Sequence, residues 1–360
     1  IRTHASGYWM TQPRRYLAIS FLSALIAAGL WYSMRPDPAL PTPSVSQRYS
    51  IALEMAHNGK PGAARVLYQQ LARNDLSETR RASLHAELPN YPSPQALKLA
   101  DADLQNPSPL VRKAAIQSIV GLVPSAQRTL LLGPMLDDAD QSVRFAAANA
   151  LLGLSPDEQG LYFGPLQQVI DEFERELKTK PDDPQAQGQL ARLYLHEGQL
   201  DDAQAALEHV TRLDPNNLKA VVAQIELLDK RGEGEQARQL LARQLQAHPD
   251  SAYLQHALGI WLLNHGQTEY ALLGLAKAVE LDPDNSDYRY KLATALHDLD
   301  QLEAAQRQLE ELLQRQPANR KARVLLISYW KEAGQLQNVQ VLLAQLEQQN
   351  PDDPALQQGL

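Results

Sequence analysis

The sequence predicts an all-α chain: a right-handed α-solenoid of stacked helical hairpins, preceded by a shorter set of helical repeats and an N-terminal transmembrane helix. Three observations carry this. Prolines recur at Pro181, Pro215, Pro249, Pro283, Pro317 and Pro351, always 34 residues apart. A looser repetition, offset by 32, relates the blocks Leu110–Ala115 and Ser142–Ala147. An uncharged run fills Tyr16–Met34. Ala, Leu and Gln dominate the composition and long β-branched runs are missing, so helix propensity is favoured nearly throughout.

The N-terminal elements come first. Met10 reads as the native start, with residues 1–9 as upstream readthrough and 1–15 as a cytoplasmic tail. The 19 residues of Tyr16–Met34 would span about 28 Å as a helix, close to the ~30 Å hydrocarbon layer. Arg14 and Arg15 precede the run, which keeps the N-terminus inside and sends the body outward; Trp31 and Tyr32 suit the far interface. The expectation is therefore a single-pass inner-membrane protein with its bulk in the periplasm. A cleaved signal peptide ending near Ala27-Ala28-Gly29 is the competing reading, against which apolar character continues to Met34. A buried core helix is a third, opposed by the flanking charges. Residues 35–46 form a Pro-rich linker.

Residues 47–160 read as a helical hairpin followed by the two blocks. In 47–73, Ile51, Ala52, Met55, Gly59, Ala64, Tyr68 and Leu71 fall where the later hairpins place their packing residues. Each block follows a turn, Asn106–Pro109 or Asp137–Gln141, and continues to an apolar residue, Ile119 or Leu151. The pair resembles HEAT repeats, a resemblance that implies an arginine (Arg112, Arg144) tying a loop together and alanines packing on a neighbouring helix. Within 161–183, Leu166–Lys180 is amphipathic and would cap the array that follows.

The array occupies 184–351 as five repeats starting at 184, 218, 252, 286 and 320. Position 8 reads Ala191, Ile225, Gly259, Ala293, Ile327, and position 20 reads Ala203, Ala237, Ala271, Ala305, Val339. These mostly small residues let the two helices of a hairpin approach closely. Leucines at position 24 (Leu207, Leu241, Leu275, Leu309, Leu343) fill the space beside them. Position 7 is Leu in four repeats and Gln224 in the second. Asp183, Asn217, Ser251, Asn285 and Asn319 precede the repeat starts as N-caps. Gly198, Gly232, Gly266 and Gly334 occupy the inner turns, with Asp300 in the fourth. Period, closing proline and packing positions together resemble the tetratricopeptide repeat. Residues 352–360 are a stub, so that end is expected to need a cover such as a partner or a dimer contact.

The order of hairpin, HEAT-like pair and array over 47–350 also resembles the C-terminal region of exported multihaem c-type cytochromes. The stretches YRYKLATALHDLDQLEAAQRQLEELLQRQP and SPLVRKAAIQSI carry the match. The resemblance implies an exported scaffold serving a respiratory or cytochrome complex. It does not carry over electron transfer, because the chain has no cysteine and so no Cys-x-x-Cys-His haem attachment.

Composition narrows function further. With 34 basic and 42 acidic residues the net charge is -8, which argues against nucleic acid as the main partner. Residues 161–360 hold 30 acidic and 19 basic side chains, leaving the upstream part slightly basic. The absence of cysteine excludes disulfides and thiolate chemistry. The nine histidines show no ligand spacing, and no phosphate loop, nucleophile elbow or carboxylate pair emerges. The expectation is no enzyme, no metal and no cofactor. What remains is binding of a partner protein or peptide on the concave face, lined by the first helix of each repeat. The candidate groove residues are Arg192, Glu226, Tyr253, His256, Ile260, Tyr290, Lys291 and Thr294. Position 5 reads Gly188, Val222, His256, Tyr290, Val324, which does not reproduce the Lys/Asn set of carboxylate-clamp adaptors.

Overall fold

The computed structural model describes residues 42–357, and among these there is no strand. The chain divides into two units, residues 1–47 and 48–360, and the second holds nearly all the described helices. The expectation of an inner-membrane, single-pass protein is corrected: no helix among the described residues is long and apolar enough to cross a membrane. The run Tyr16–Met34 that prompted it lies outside the described residues.

Helices α1 (Val45–His57) and α2 (Ala63–Leu71) form the first hairpin, and Ala52, Ala56, Ala63 and Ala64 on them are buried. Helices α3 (Glu78–Glu87), α4 (Pro94–Asp103), α5 (Pro109–Leu122), α6 (Ser125–Leu132), α7 (Gln141–Leu151), α8 (Pro156–Gln159) and α9 (Phe163–Lys178) follow, interrupted by three short 3-10 turns. One polar device recurs here. Arg81 donates to the carbonyls of Leu71 and Arg73 and to Asp103. Arg112 donates to the Asn106 carbonyl and, through two nitrogens, to Asp138. Arg144 donates to the Asp138 carbonyl and to both oxygens of Glu172. Each guanidinium thus satisfies the turn before its own helix and takes a carboxylate from a later element. Forked, charge-assisted bonds of this kind are strong and geometrically specific.

The remaining helices are α10 (Pro184–His196), α11 (Leu200–Leu213), α12 (Leu218–Lys230), α13 (Gly234–Ala247), α14 (Ala252–Asn264), α15 (Thr268–Leu281), α16 (Ser286–Asp298), α17 (Leu302–Arg315), α18 (Arg320–Glu332), α19 (Leu336–Gln349) and the short α20 (Pro354–Gln357). From α10 to α19 they pair as the 34-residue hairpins the prolines announce. Asp183, Asn217, Ser251, Asn285 and Asn319 each accept from a backbone N–H of the first turn. The inner-turn glycines take φ of +70° to +79°, and Asp300 reaches +59°, the only non-glycine residue at positive φ among the described residues.

Residue size at position 8 sets how tightly a hairpin closes. In α14–α15 a Cβ on Gly274 would fall 2.9 Å from the Gln255 carbonyl oxygen and 3.1 Å from the Gly259 nitrogen, so the two backbones touch. Where isoleucine takes that position, at Ile225 and Ile327, the paired helices stand further apart. The apolar core follows suit. A large cluster runs from the first hairpin to Leu227, another covers Leu275 to Leu342, and a small one of Val221, Ile225, Ala237 and Leu241 lies apart from both.

The second unit closes on itself. The Gly62 N–H donates 2.8 Å to the Gln348 carbonyl, and Asn350 Nδ2 donates 2.7 Å to the Pro92 carbonyl. Gly59, at φ +58°, lies against Pro317, where a Cβ would come within 2.8 Å of the carbonyl oxygen. Ala318 belongs to the same apolar cluster as Leu67, Leu71 and Leu88. The array end that seemed to call for an outside cover therefore finds one in the α1–α2 hairpin of its own chain. Sequence spacing misses this because the contacting residues lie more than 250 positions apart.

Candidate functional site

The first helices of the second and third repeats, α12 and α14, stand side by side and enclose a groove of about 550 Å³. Its apolar surface comes from Val222, Ile225, Ala257, Ile260 and Trp261; Glu226, Asp229, Lys230, Tyr253, His256 and Asn264 supply the polar groups. The local cause is legible. Position 8 is the large Ile225 in α12 but Gly259 in α14, so α14 is drawn onto α15 while α12 is held off α13. Gln224 at a leucine position thins the apolar filling further, and the small isolated core cluster lies beneath.

Several polar atoms of the groove lack partners. The Trp261 indole N–H and His256 Nδ1 are buried without a hydrogen bond among the described residues. A buried polar group left this way costs roughly 1–3 kcal/mol. Glu226 opens to solvent on one side, yet the walls desolvate it and push its carboxyl above the ordinary glutamate value, opposed only by Lys230. Burial, then the neighbouring Lys291, pushes the His256 imidazole down, which favours its neutral form. Burial, aided by Glu226, raises the Tyr253 phenol. Asp229, by contrast, meets His265 at 3.1 Å, and His265 stacks on Trp261 with ring centres 3.9 Å apart.

The structure brings together four of the eight expected groove residues, Glu226, Tyr253, His256 and Ile260. Arg192 lies in a separate depression beside α10, hydrogen bonded to Asn149. Tyr290 sits one repeat further on with the Lys321 ammonium 4.1 Å above its ring, and the Thr294 hydroxyl donates back to the Lys291 carbonyl within its own helix. Trp261 and Val222 went unnoticed as candidates. Trp261 is at position 10 of its repeat and lines the groove beside Ile260.

Two further polar constellations have structural partners. Ser118, His85 and Asp103 line up with His85 Nδ1 3.0 Å from the serine oxygen and Nε2 2.6 Å from the carboxylate. The Ser118 proton, however, goes to the His85 backbone carbonyl, and His85 and Ser118 are at most 1% exposed. The cluster ties α3 to α5 and presents no face to a substrate. Asp171, Glu174 and Glu197 come close enough to share one cation, but Gln167 donates to two of them and Lys178 pairs with the third.

Comparison with known proteins agrees with the repeat geometry. Models of the tetratricopeptide repeat match residues 164–225 and 275–307. No curated protein matches the chain. Among solved structures, YrrB, described as "a TPR protein with an unusual peptide-binding site", is 18% identical, with 53% of this chain and 98% of that one covered and a TM-score of 0.36. MamA from Desulfovibrio magneticus RS-1 is 19% identical over 54% of this chain and 96% of that one, at 0.31. Yeast Tom70 is 14% identical over 87% and 62%, at 0.46.

Proposed function

We propose that the chain, which is a tetratricopeptide repeat protein, works as a protein–protein interaction scaffold that holds a peptide segment of its partner in the groove between α12 and α14. The observation that carries this is the coincidence, in one concave cavity, of an apolar floor (Val222, Ile225, Ala257, Ile260, Trp261) with the polar side chains of Glu226, Tyr253, His256 and Asn264. Ligand sites are concave, mostly apolar and set with a few convergent polar groups. An extended or helical segment would cover the isoleucines and meet the polar side chains at the groove's edge.

A peptide array probed with the full chain tests it. Bound spots should fade on Ile260→Glu, which puts a charge on the groove wall, and persist on Tyr270→Ala, an exposed position outside the groove. Equal signals from both variants would move the binding site elsewhere. A second reading, an accessory or assembly factor for a c-type cytochrome, is supported by the resemblance of residues 47–350 alone. Unchanged cytochrome content after deletion of the protein would remove it.

A further inference from the structure

We propose that the groove selects a peptide by an arginine side chain, its guanidinium paired with Glu226 and laid against the Tyr253 ring, while apolar neighbours of that arginine settle on Ile225, Ile260 and Trp261. This rests on the groove being the peptide site and adds the chemistry of what it accepts.

Elimination among the groove's own charges points this way. Asp229 already faces His265, whereas Glu226 has neither ion pair nor hydrogen bond among the described residues. Lys230, one turn along the same helix, makes no ion pair with it. A neutral ligand would cover Glu226 and leave a desolvated carboxylate without a countercharge, which is costly. An acidic ligand would add repulsion. A cation answers both problems. The aromatic faces discriminate likewise: Tyr290 is occupied by Lys321, while no cation of the chain covers Tyr253 among the described residues. Arginine suits the vacancy better than lysine, since its planar guanidinium can stack on a ring and fork onto a carboxylate together. The surroundings add long-range attraction, with 30 acidic against 19 basic residues in 161–360, which steers a cationic segment toward this face.

The test uses the full chain and three fluorescein-labelled peptides that share one leucine–alanine frame and differ only in a central arginine, glutamine or glutamate. Fluorescence anisotropy should rank arginine at least about tenfold above glutamine, as for a charge-assisted hydrogen bond, with glutamate weakest. Glu226→Gln should erase the arginine advantage, weakening the arginine peptide and tightening the glutamine peptide because no uncompensated carboxylate is covered; an unchanged circular dichroism melt reports intact folding. Glu226→Lys should reverse the order of the arginine and glutamate peptides. Equal affinity for the three peptides would overturn the arginine assignment while sparing the groove as a peptide site. Binding of none of them would overturn both.

Discussion

Residues 72–178 and 184–351 face the same task, joining successive helices without leaving the turns unsatisfied, and they meet it with a different balance of groups. The upstream region uses charge: Arg81, Arg112 and Arg144 each bind a preceding turn and a carboxylate from a later element. The array has such pairs too, Arg320 forking onto Asp353 at its far end, but at its repeat starts it uses uncharged acceptors. Its position-4 side chains reach back to the carbonyls before their own repeat: Gln187 to Lys180, Gln255 to Pro249, Arg289 to Pro283 and Arg323 to Pro317. Arg323 is 3% exposed, yet its second nitrogen donates to the amide of Gln345 and not to a carboxylate; burial pushes its guanidinium pKa down. The contrast follows from regularity. Irregular helices joined by prolines and 3-10 turns need strong directional bonds to set their angles. In the hairpins, small residues at positions 8 and 20 already fix the approach of the backbones, so the polar side chain only has to satisfy a loop.

The largest effect that would test this contrast is expected from Asp103→Ala. It removes the anion shared by Arg81 and His85 and should destabilise by about 3–5 kcal/mol, because a buried charge is left unanswered. Urea denaturation reads the change, and a loss below about 1 kcal/mol would show the upstream ladder to be decorative. The pH response has the same origin. Burial alone would raise the Asp103 carboxyl, but hydrogen bonds from His85 and Arg81 outweigh it and hold the pKa below the ordinary value. The Arg144 hydrogen bond likewise lowers Glu172. A carboxyl depressed in the folded state contributes stability that is complete above its unfolded pKa of about 4 and is lost as pH falls through the folded one. On acidification, hydrogen exchange should therefore rise in 72–178 before it rises in 184–351.

A smaller effect should come from Gly274→Ala, which forces a methyl against the backbone of α14 and should cost about 1–3 kcal/mol as overpacking. Thermal unfolding would show it, and the full effect should appear with the arginine pairs intact. The smallest change should be favourable. Asp300→Gly removes a side chain from the left-handed turn and should stabilise by roughly 0.5–1 kcal/mol, bringing the fourth repeat into line with its neighbours. A destabilised variant would mean that the Asp300 carboxylate has a role its backbone does not reveal.

Much of the array was legible because its determinants are local. A cap such as Asn319 needs only the next three residues, and the approach of Gly259 to Gly274 needs only one hairpin. The lining of the groove was half legible: Glu226, Tyr253, His256 and Ile260 followed from repeat positions, whereas Trp261 at position 10 did not. The burial of His85 against Asp103 and Ser118 has no spacing signal, since the three residues come from different helices.

By itself the sequence determined the 34-residue hairpin, its caps, its inner turn and the small residues that close it, since each is settled among near neighbours in the chain. Tertiary structure alone decided that Asn350 would meet Pro92, that the first hairpin would cover the end of the array, and that an apolar-floored groove would open between α12 and α14. Those outcomes depend on the summed tilt of successive helices, and each tilt turns on differences as small as Ile225 against Gly259. A repeat pattern averages over such differences, and the assembled chain accumulates them.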